Sequence, residues 1–291
     1  MKVLNVCIKV GIIGINGKYG KWLKDFFERM GHVVIGSDIG TEVTNRQIVE
    51  EADVVIFSVP IGKTVSVINE VAAFSQEGQL FLDITSIKSP AVTAMMRSEA
   101  SVVGLHPMCA PPKLGQTLRG QVIVRCDVKG RLSDAWRTWI EDVLVATEAR
   151  IKISTPEVHD RCMAIVQGLT HAVALIMASV IRVMHVDVTE VGGYVSPPYR
   201  ISLAVIGRIL SQNPVLYGEI QMGNLGIPDV LDALEHEVRH FKTVIVAKDT
   251  AQFMSDFKAS KEYFGKEVEN ANEFFAGVLK FIADSAEKNT S

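Results

Sequence analysis

The stretch VGIIGINGKYGKWL, residues 10–23, limits what this chain can fold into more than any other. An apolar run leads into Gly14, Gly17 and Gly20, and an amphipathic pattern follows at once. Glycines between a strand and the mouth of a helix permit a tight turn and let backbone N–H groups approach a pyrophosphate at the helix N-terminus. The spacing is G-x-x-G-x-x-G, with Ile15 at a position that the commoner loop gives to glycine, so the loop alone is only moderately specific. Its context adds weight. Asp38 closes the next apolar run about 20 residues on, where an acid accepts from a ribose 2′-hydroxyl and repels a 2′-phosphate, which favours NAD over NADP. The cofactor-binding residues expected are therefore Gly14, Asn16, Gly17, Lys18, Tyr19, Gly20 and Asp38. Ser58, Val59 and Pro60 join them at the carboxyl edge of the following run, ADVVIFSVP. The short interval between Asp38 and Asp53 leaves room for a short helix at most.

The pattern that opens here continues to Ser154. Apolar runs VCIKVGIIG, HVVIGSD, ADVVIFSVP, QLFLDIT, SVVGLHP, GQVIVRC and ARIKIS alternate with helical spacings such as KWLKDFFERM and DAWRTWIEDVL. Continuous apolar strands alternating with helices predict an α/β, doubly wound, mostly parallel sheet covered on both faces. After Ser154 the strand-like runs stop. Thr155 caps and Pro156 starts a helical pattern that runs almost to the end, broken at VGGYVSPP, SQNP and GNLGIP. A dinucleotide-binding domain over 1–154 and an all-helical domain over 155–291 are expected.

Composition narrows the function. Thirty basic residues against 33 acidic give a net charge of −3, with no electrostatic footprint for nucleic acid or an anionic membrane. Cys7, Cys109, Cys126 and Cys162 form no CxxC pair and fit reduced thiols in the cytoplasm. The N-terminus has no h-region with a cleavage site. Residues 162–181 carry no Asp, Glu, Lys or Arg and are long enough for a membrane span. Gln167, Gly168, Thr170, His171 and Ser179 interrupt them, so a helix buried in a protein core is expected instead.

VVGLHPMCAPP, residues 102–112, sets His106 where a strand stops, because the prolines at 107, 111 and 112 bring no ladder N–H. Open α/β sheets bind ligands beyond the carboxyl ends of their strands. A histidine satisfied at a strand end and a functional histidine both remain open on these residues alone. HEVRH, His236 to His240, matches a zinc-binding spacing. Arg239 and Glu235 flank it on a half-exposed helical pattern, so no metal is expected.

The segments GINGKYGKWL, ADVVIFSVP, DITSIK, VVGLHPM, TPEVHDRCMAIVQGLTH and SPPYRISLAVIGRI resemble, in order, those of the NAD-dependent prephenate dehydrogenases, most closely the branch often fused to chorismate mutase. The chain reads as a free-standing member. The resemblance implies oxidation of the ring alcohol of prephenate with loss of its ring carboxylate, giving 4-hydroxyphenylpyruvate, CO2 and NADH on the way to tyrosine. It assigns proton acceptance or hydrogen bonding to His106, the substrate clamp to Arg200, and pocket roles to Ser86, Lys88 and His171. The HD pair His159 and Asp160 is taken as structural. CAPP follows HPM where relatives usually carry a glycine-containing turn, so a differently shaped loop is expected after His106. Arogenate or an amino-substituted prephenate are alternative substrates. A non-catalytic NAD(H) sensor is a reading of another class, needing the glycine loop but neither His106 nor Arg200; a third is a two-domain dehydrogenase for hydroxy acids. Apolar segments such as LAVIGRIL exceed what one small helical domain can hide, which predicts a homodimer through the second domain.

Overall fold

Seven apolar runs become seven strands. In this computed structural model, which describes residues 7–288, the chain begins β1 (Lys9–Ile13), α1 (Lys18–Arg29), β2 (Val33–Ser37), α2 (Asn45–Glu51), β3 (Val54–Phe57) and α3 (Ile61–Val71). It continues β4 (Leu80–Asp83), α4 (Ser89–Met95), β5 (Ser101–Pro107), β6 (Val122–Asp127), α5 (Asp134–Ala146) and β7 (Arg150–Ser154). The sheet order is β2-β1-β3-β4-β5-β6-β7, and each pair is parallel except β5 with β6. Strands β1, β3 and β4 are apolar on both faces, as burial under helices on each side demands. One face packs Trp22, Phe26 and Phe27 of α1 with Trp139 and Ile140 of α5. The other packs Ile48 of α2, Ile68 of α3 and Met95 of α4. Each such side chain taken from water contributes roughly 1.5–3 kcal/mol.

The reversal of the sheet order at β1 and β3 places the ends of β1 and β3 at a crevice. α2 begins with a capping box, in which the Thr44 hydroxyl accepts from Gln47 N and the Gln47 side chain accepts from Thr44 N.

After β7 come α6 (Pro156–Met163), one π turn (Ala164–Leu169), α7 (Thr170–Val183), α8 (Val188–Val191), α9 (Pro197–Leu210), α10 (Pro214–Gly223), α11 (Ile227–Ala247), α12 (Thr250–Phe264) and α13 (Glu267–Lys288). The chain forms two compact units. The first runs through Ala172 and takes in Gln212–Ile227; the second is Val173–Ser211 with the chain from Pro228 on. The first therefore carries α6 and α10 beside the sheet, with Asn224 Nδ2 donating to the carbonyl of Asp160.

One expectation fails here. Pro156–Val183 is long and apolar enough to cross a membrane by length and composition, yet only 22% of its most apolar window is buried within the chain. Ile165, Val166, Val173, Ile176 and Val180 are all exposed. It is not a helix of this chain's own core. The second unit shares this character: Phe241, Phe253, Phe257, Phe264 and Phe274 face solvent, whereas Ile206, Ile209 and Val244 are buried.

Candidate active site

The glycine loop is built as a cradle. Gly14 has φ +93°, and a Cβ there would lie 2.3 Å from the Ser58 carbonyl oxygen; one at Gly20 would lie 2.2 Å from that of Gly14. Only glycine permits the turn and the close approach of α1 to it. Gly17 caps α1 without a side-chain hydrogen bond, and no acid occupies the first turn. The opening N–H groups of a helix lack intrahelical partners, so those of Lys18, Tyr19 and Gly20 are available to an anion, aided by the helix dipole. Asp38 stands beside them, accepting from Asn16 N at 2.8 Å and Ile39 N at 2.7 Å. Each carboxylate oxygen keeps further acceptor capacity for a ribose hydroxyl. Ser58, Val59 and Pro60 follow β3 at the same edge, Ser58 N donating to the Ile13 carbonyl at 2.9 Å. These residues fit a nucleotide.

The Tyr19 side chain does something else. Its hydroxyl donates to the Cys109 carbonyl at 2.6 Å, and Trp22 Nε1 donates to that of Gln116 at 2.9 Å. The loop after His106 is thus pinned to α1, which leaves Tyr19 a main-chain role at the nucleotide.

His106, at the end of β5, is 3% exposed. Its Nδ1 lies 2.8 Å from His159 Nε2, and His159 Nδ1 lies 2.8 Å from Asp160 Oδ1. Asp160 Oδ1 also accepts from Lys88 N, and Oδ2 from Ser89 N, both at 2.8 Å. Burial raises the Asp160 carboxyl, but the bonds from His159, Lys88 and Ser89 outweigh it and hold the group below the usual carboxylate range. His159 and Asp160, expected to be structural, are wired to the candidate base. The sequence carries no signal for that pairing, because it joins a strand end to a helix 53 residues away.

The imidazole of His106 is held neutral. Burial, then the Lys88 charge and then His159, push it well below the ordinary histidine range, against an opposing pull from Asp160.

Lys88 requires a correction. Expected as a pocket cation, it has 0% exposure, and its ammonium pairs with Asp83 and donates to the Leu105 carbonyl at 2.6 Å. It braces the end of β5, and its charge is taken up by Asp83. Ser86, two residues earlier, is half-buried, and among the described residues its hydroxyl makes no hydrogen bond. An apolar pocket of about 700 Å3, with Ile61, Val65, Ala91 and Met222 in its walls, includes the flanking Thr85 and Ile87. His106 does not line it.

His171 packs edge-on against Tyr217, ring centroids 4.7 Å apart, and its buried Nδ1 has no hydrogen-bond partner among the described residues. Arg200 belongs to the second unit, exposed in the first turn of α9 that Ser196 caps. The histidines of HEVRH bind carboxylates, His240 Nε2 lying 2.8 Å from Asp256 Oδ2 and His236 Nδ1 3.3 Å from Glu237 Oε1.

A doubly wound sheet with a glycine cradle and an acid beyond its second strand, followed by helices, defines a two-domain nucleotide-binding protein of the dehydrogenase type. Two family models match, the prephenate dehydrogenase nucleotide-binding domain over residues 29–152 and the prephenate dehydrogenase dimerization domain over 155–259. The chain belongs to the prephenate dehydrogenase family. A probable arogenate/prephenate dehydrogenase of Methanocaldococcus jannaschii is 32% identical in a 280-residue alignment that covers 90% of this chain and 62% of that protein. The 4-amino-4-deoxyprephenate dehydrogenase of Streptomyces pristinaespiralis is 28% identical, covering 74% of this chain and 71% of its own length. The chain thus spans about three fifths of the first of these relatives. Among solved structures, prephenate dehydrogenase of A. aeolicus, in complex with hydroxyphenyl propionate and NAD+, superimposes with a TM-score of 0.69 at 19% identity, over 90% of this chain and all of that one; at that identity the likeness is one of fold.

Proposed function

We propose that the protein catalyses the NAD-dependent oxidative decarboxylation of prephenate to 4-hydroxyphenylpyruvate. The observation that carries this reading is the buried, neutral His106 at a strand end on the edge that holds the glycine cradle. NAD, when bound, supplies the hydride acceptor. His106 takes the proton of the ring hydroxyl as the carbinol carbon gives up its hydride, and the bond from the ring to its carboxylate breaks to release CO2 and leave an aromatic ring. Arg200 holds a substrate carboxylate bidentately, a geometry a lysine cannot match. Ser86 and His171 are assigned to the substrate by the resemblance. Arogenate is the second candidate substrate, because the Methanocaldococcus relative bears both names. It keeps the ring carbinol and carboxylate, so the same groups would serve.

Assaying purified protein with NAD against prephenate and arogenate side by side is the direct test. NADH and CO2 are expected with prephenate. NAD binding without turnover of either compound would instead favour a sensor. Arg200→Gln is expected to raise the substrate KM more than it lowers kcat; an unchanged KM would remove Arg200 from the substrate.

We also propose a homodimer through the helical half. Its support is the family model's description as a dimerization domain and the exposed apolar side chains of Pro156–Val183 and of the second unit. Sedimentation at micromolar concentration should give twice the chain mass; a monomer throughout would refute it.

A further inference from the structure

Behind His106 lies a chain of groups that the hydrogen-abstraction chemistry does not itself require. Asp160 is a carboxylate and can only accept, so His159 Nδ1 carries the hydrogen between them. The 2.8 Å contact between the two rings needs one hydrogen, and with His159 Nδ1–H given to Asp160 the relay has it on His106 Nδ1. That leaves the lone pair of His106 on Nε2, which among the described residues has no partner. The other oxygen contacts of Asp160 are the N–H groups of Lys88 and Ser89, at the end of the loop that carries Ser86.

We propose that His159 and Asp160 are positioning residues that fix the tautomer of His106, aim its Nε2 lone pair at the substrate hydroxyl, and register the Ser86 loop against it. This rests on the reading of His106 as the proton acceptor. No proton travels along the relay: when Nε2 takes the hydroxyl proton, His106 Nδ1–H remains donated to His159 and His159 Nδ1–H to Asp160. The carboxylate balances the imidazolium charge through two rings and stays ionised. The arrangement extends to one more ring the way a buried aspartate orients a catalytic histidine in a serine protease triad. The charged and titratable groups facing His106 are Lys88, His159 and Asp160, with Asp83 behind Lys88.

Three variants and one spectrum test it. In 15N-histidine-labelled protein, the resonances lost in His106→Asn identify His106, which should show a protonated Nδ1 and an unprotonated Nε2. Asp160→Asn should mix the two tautomers and lower kcat by at least about tenfold, with NAD affinity within about twofold of wild type. Because it removes the one charge that favours protonated His106, the acid limb of kcat/KM should also move to lower pH. His159→Gln leaves Asp160 free to hold Lys88 N and Ser89 N, and is expected to lower kcat comparably. A fall confined to Asp160→Asn would reduce that residue to a loop clamp and overturn the relay, as would a wild-type His106 protonated on Nε2. Should His106→Asn be inactive while both other variants turn over normally, the relay alone fails. Should His106→Asn itself turn over normally, the proton-acceptor reading fails with it.

Discussion

His106→Asn is expected to lower kcat by roughly 10²–10⁴-fold, the usual contribution of a positioned general base. NAD affinity should stay within about twofold, measured by equilibrium titration. Asparagine retains a short polar side chain that can meet His159 Nε2, so β5 and its neighbours are expected to keep their places. The cofactor cradle is formed by Gly14–Gly20, Asp38 and Ser58–Pro60, and none of these bonds to the imidazole. Loss of turnover with intact NAD binding would therefore localise the defect to the chemical step. The pH dependence follows from the direction of the His106 shift. Only the neutral ring accepts a proton, and its burial beside Lys88 holds it neutral well below the ordinary histidine range. In the wild-type enzyme kcat/KM should stay flat as pH falls through about 6.5, the unperturbed histidine value, and drop only at lower pH. An acid limb centred at the ordinary value, or one that survives in His106→Asn, would mean that another group sets it.

What the sequence disclosed and what it withheld divide along a physical line. The cradle was legible because its glycines answer a backbone demand: no side chain fits at Gly14 or Gly20, and that demand is written at fixed spacing. The seven strands were legible for the same kind of reason, each being a local apolar run. The burial of Lys88 was not legible, because its place in DITSIK says nothing about the direction of its side chain. The turn in which the Thr85 hydroxyl donates to the Ile87 carbonyl leads the chain back beneath the sheet edge. Gly104 was a usable hint, since a Cβ there would sit 3.0 Å from Lys88 Cδ, and a strand glycine often marks a close approach. The link between His106 and His159 is purely tertiary and left no local trace. For Pro156–Val183, a pattern of apolar residues reports that a face is to be covered and not by which chain.

Lys88→Met should give the largest loss of stability of any single change here, roughly 3–5 kcal/mol, the usual cost of removing one partner from a buried ion pair. Methionine fills a similar volume, so the loss is electrostatic: Asp83, fully buried, is left without its cation, and the Leu105 carbonyl without its donor. Urea unfolding followed by tryptophan fluorescence reports on the relevant unit, since all three tryptophans, Trp22, Trp136 and Trp139, lie in the strand-bearing part of the chain. The sign of the pH dependence separates this cause from a packing defect. Burial already raises the Asp83 carboxyl above its ordinary value even against the pull of Lys88. Without Lys88 it rises further, so the folded state binds more protons than the unfolded one across the interval above about pH 4. Stability of the variant must then fall as pH rises through that interval, and its deficit must shrink toward acid. Adding Asp83→Asn removes the uncompensated charge and should recover more than half of the loss, because replacing both members of a buried pair costs far less than breaking it. A deficit that is independent of pH and unmoved by the second substitution would mean that Lys88 serves the fold through its methylene chain, with its ammonium contributing nothing net.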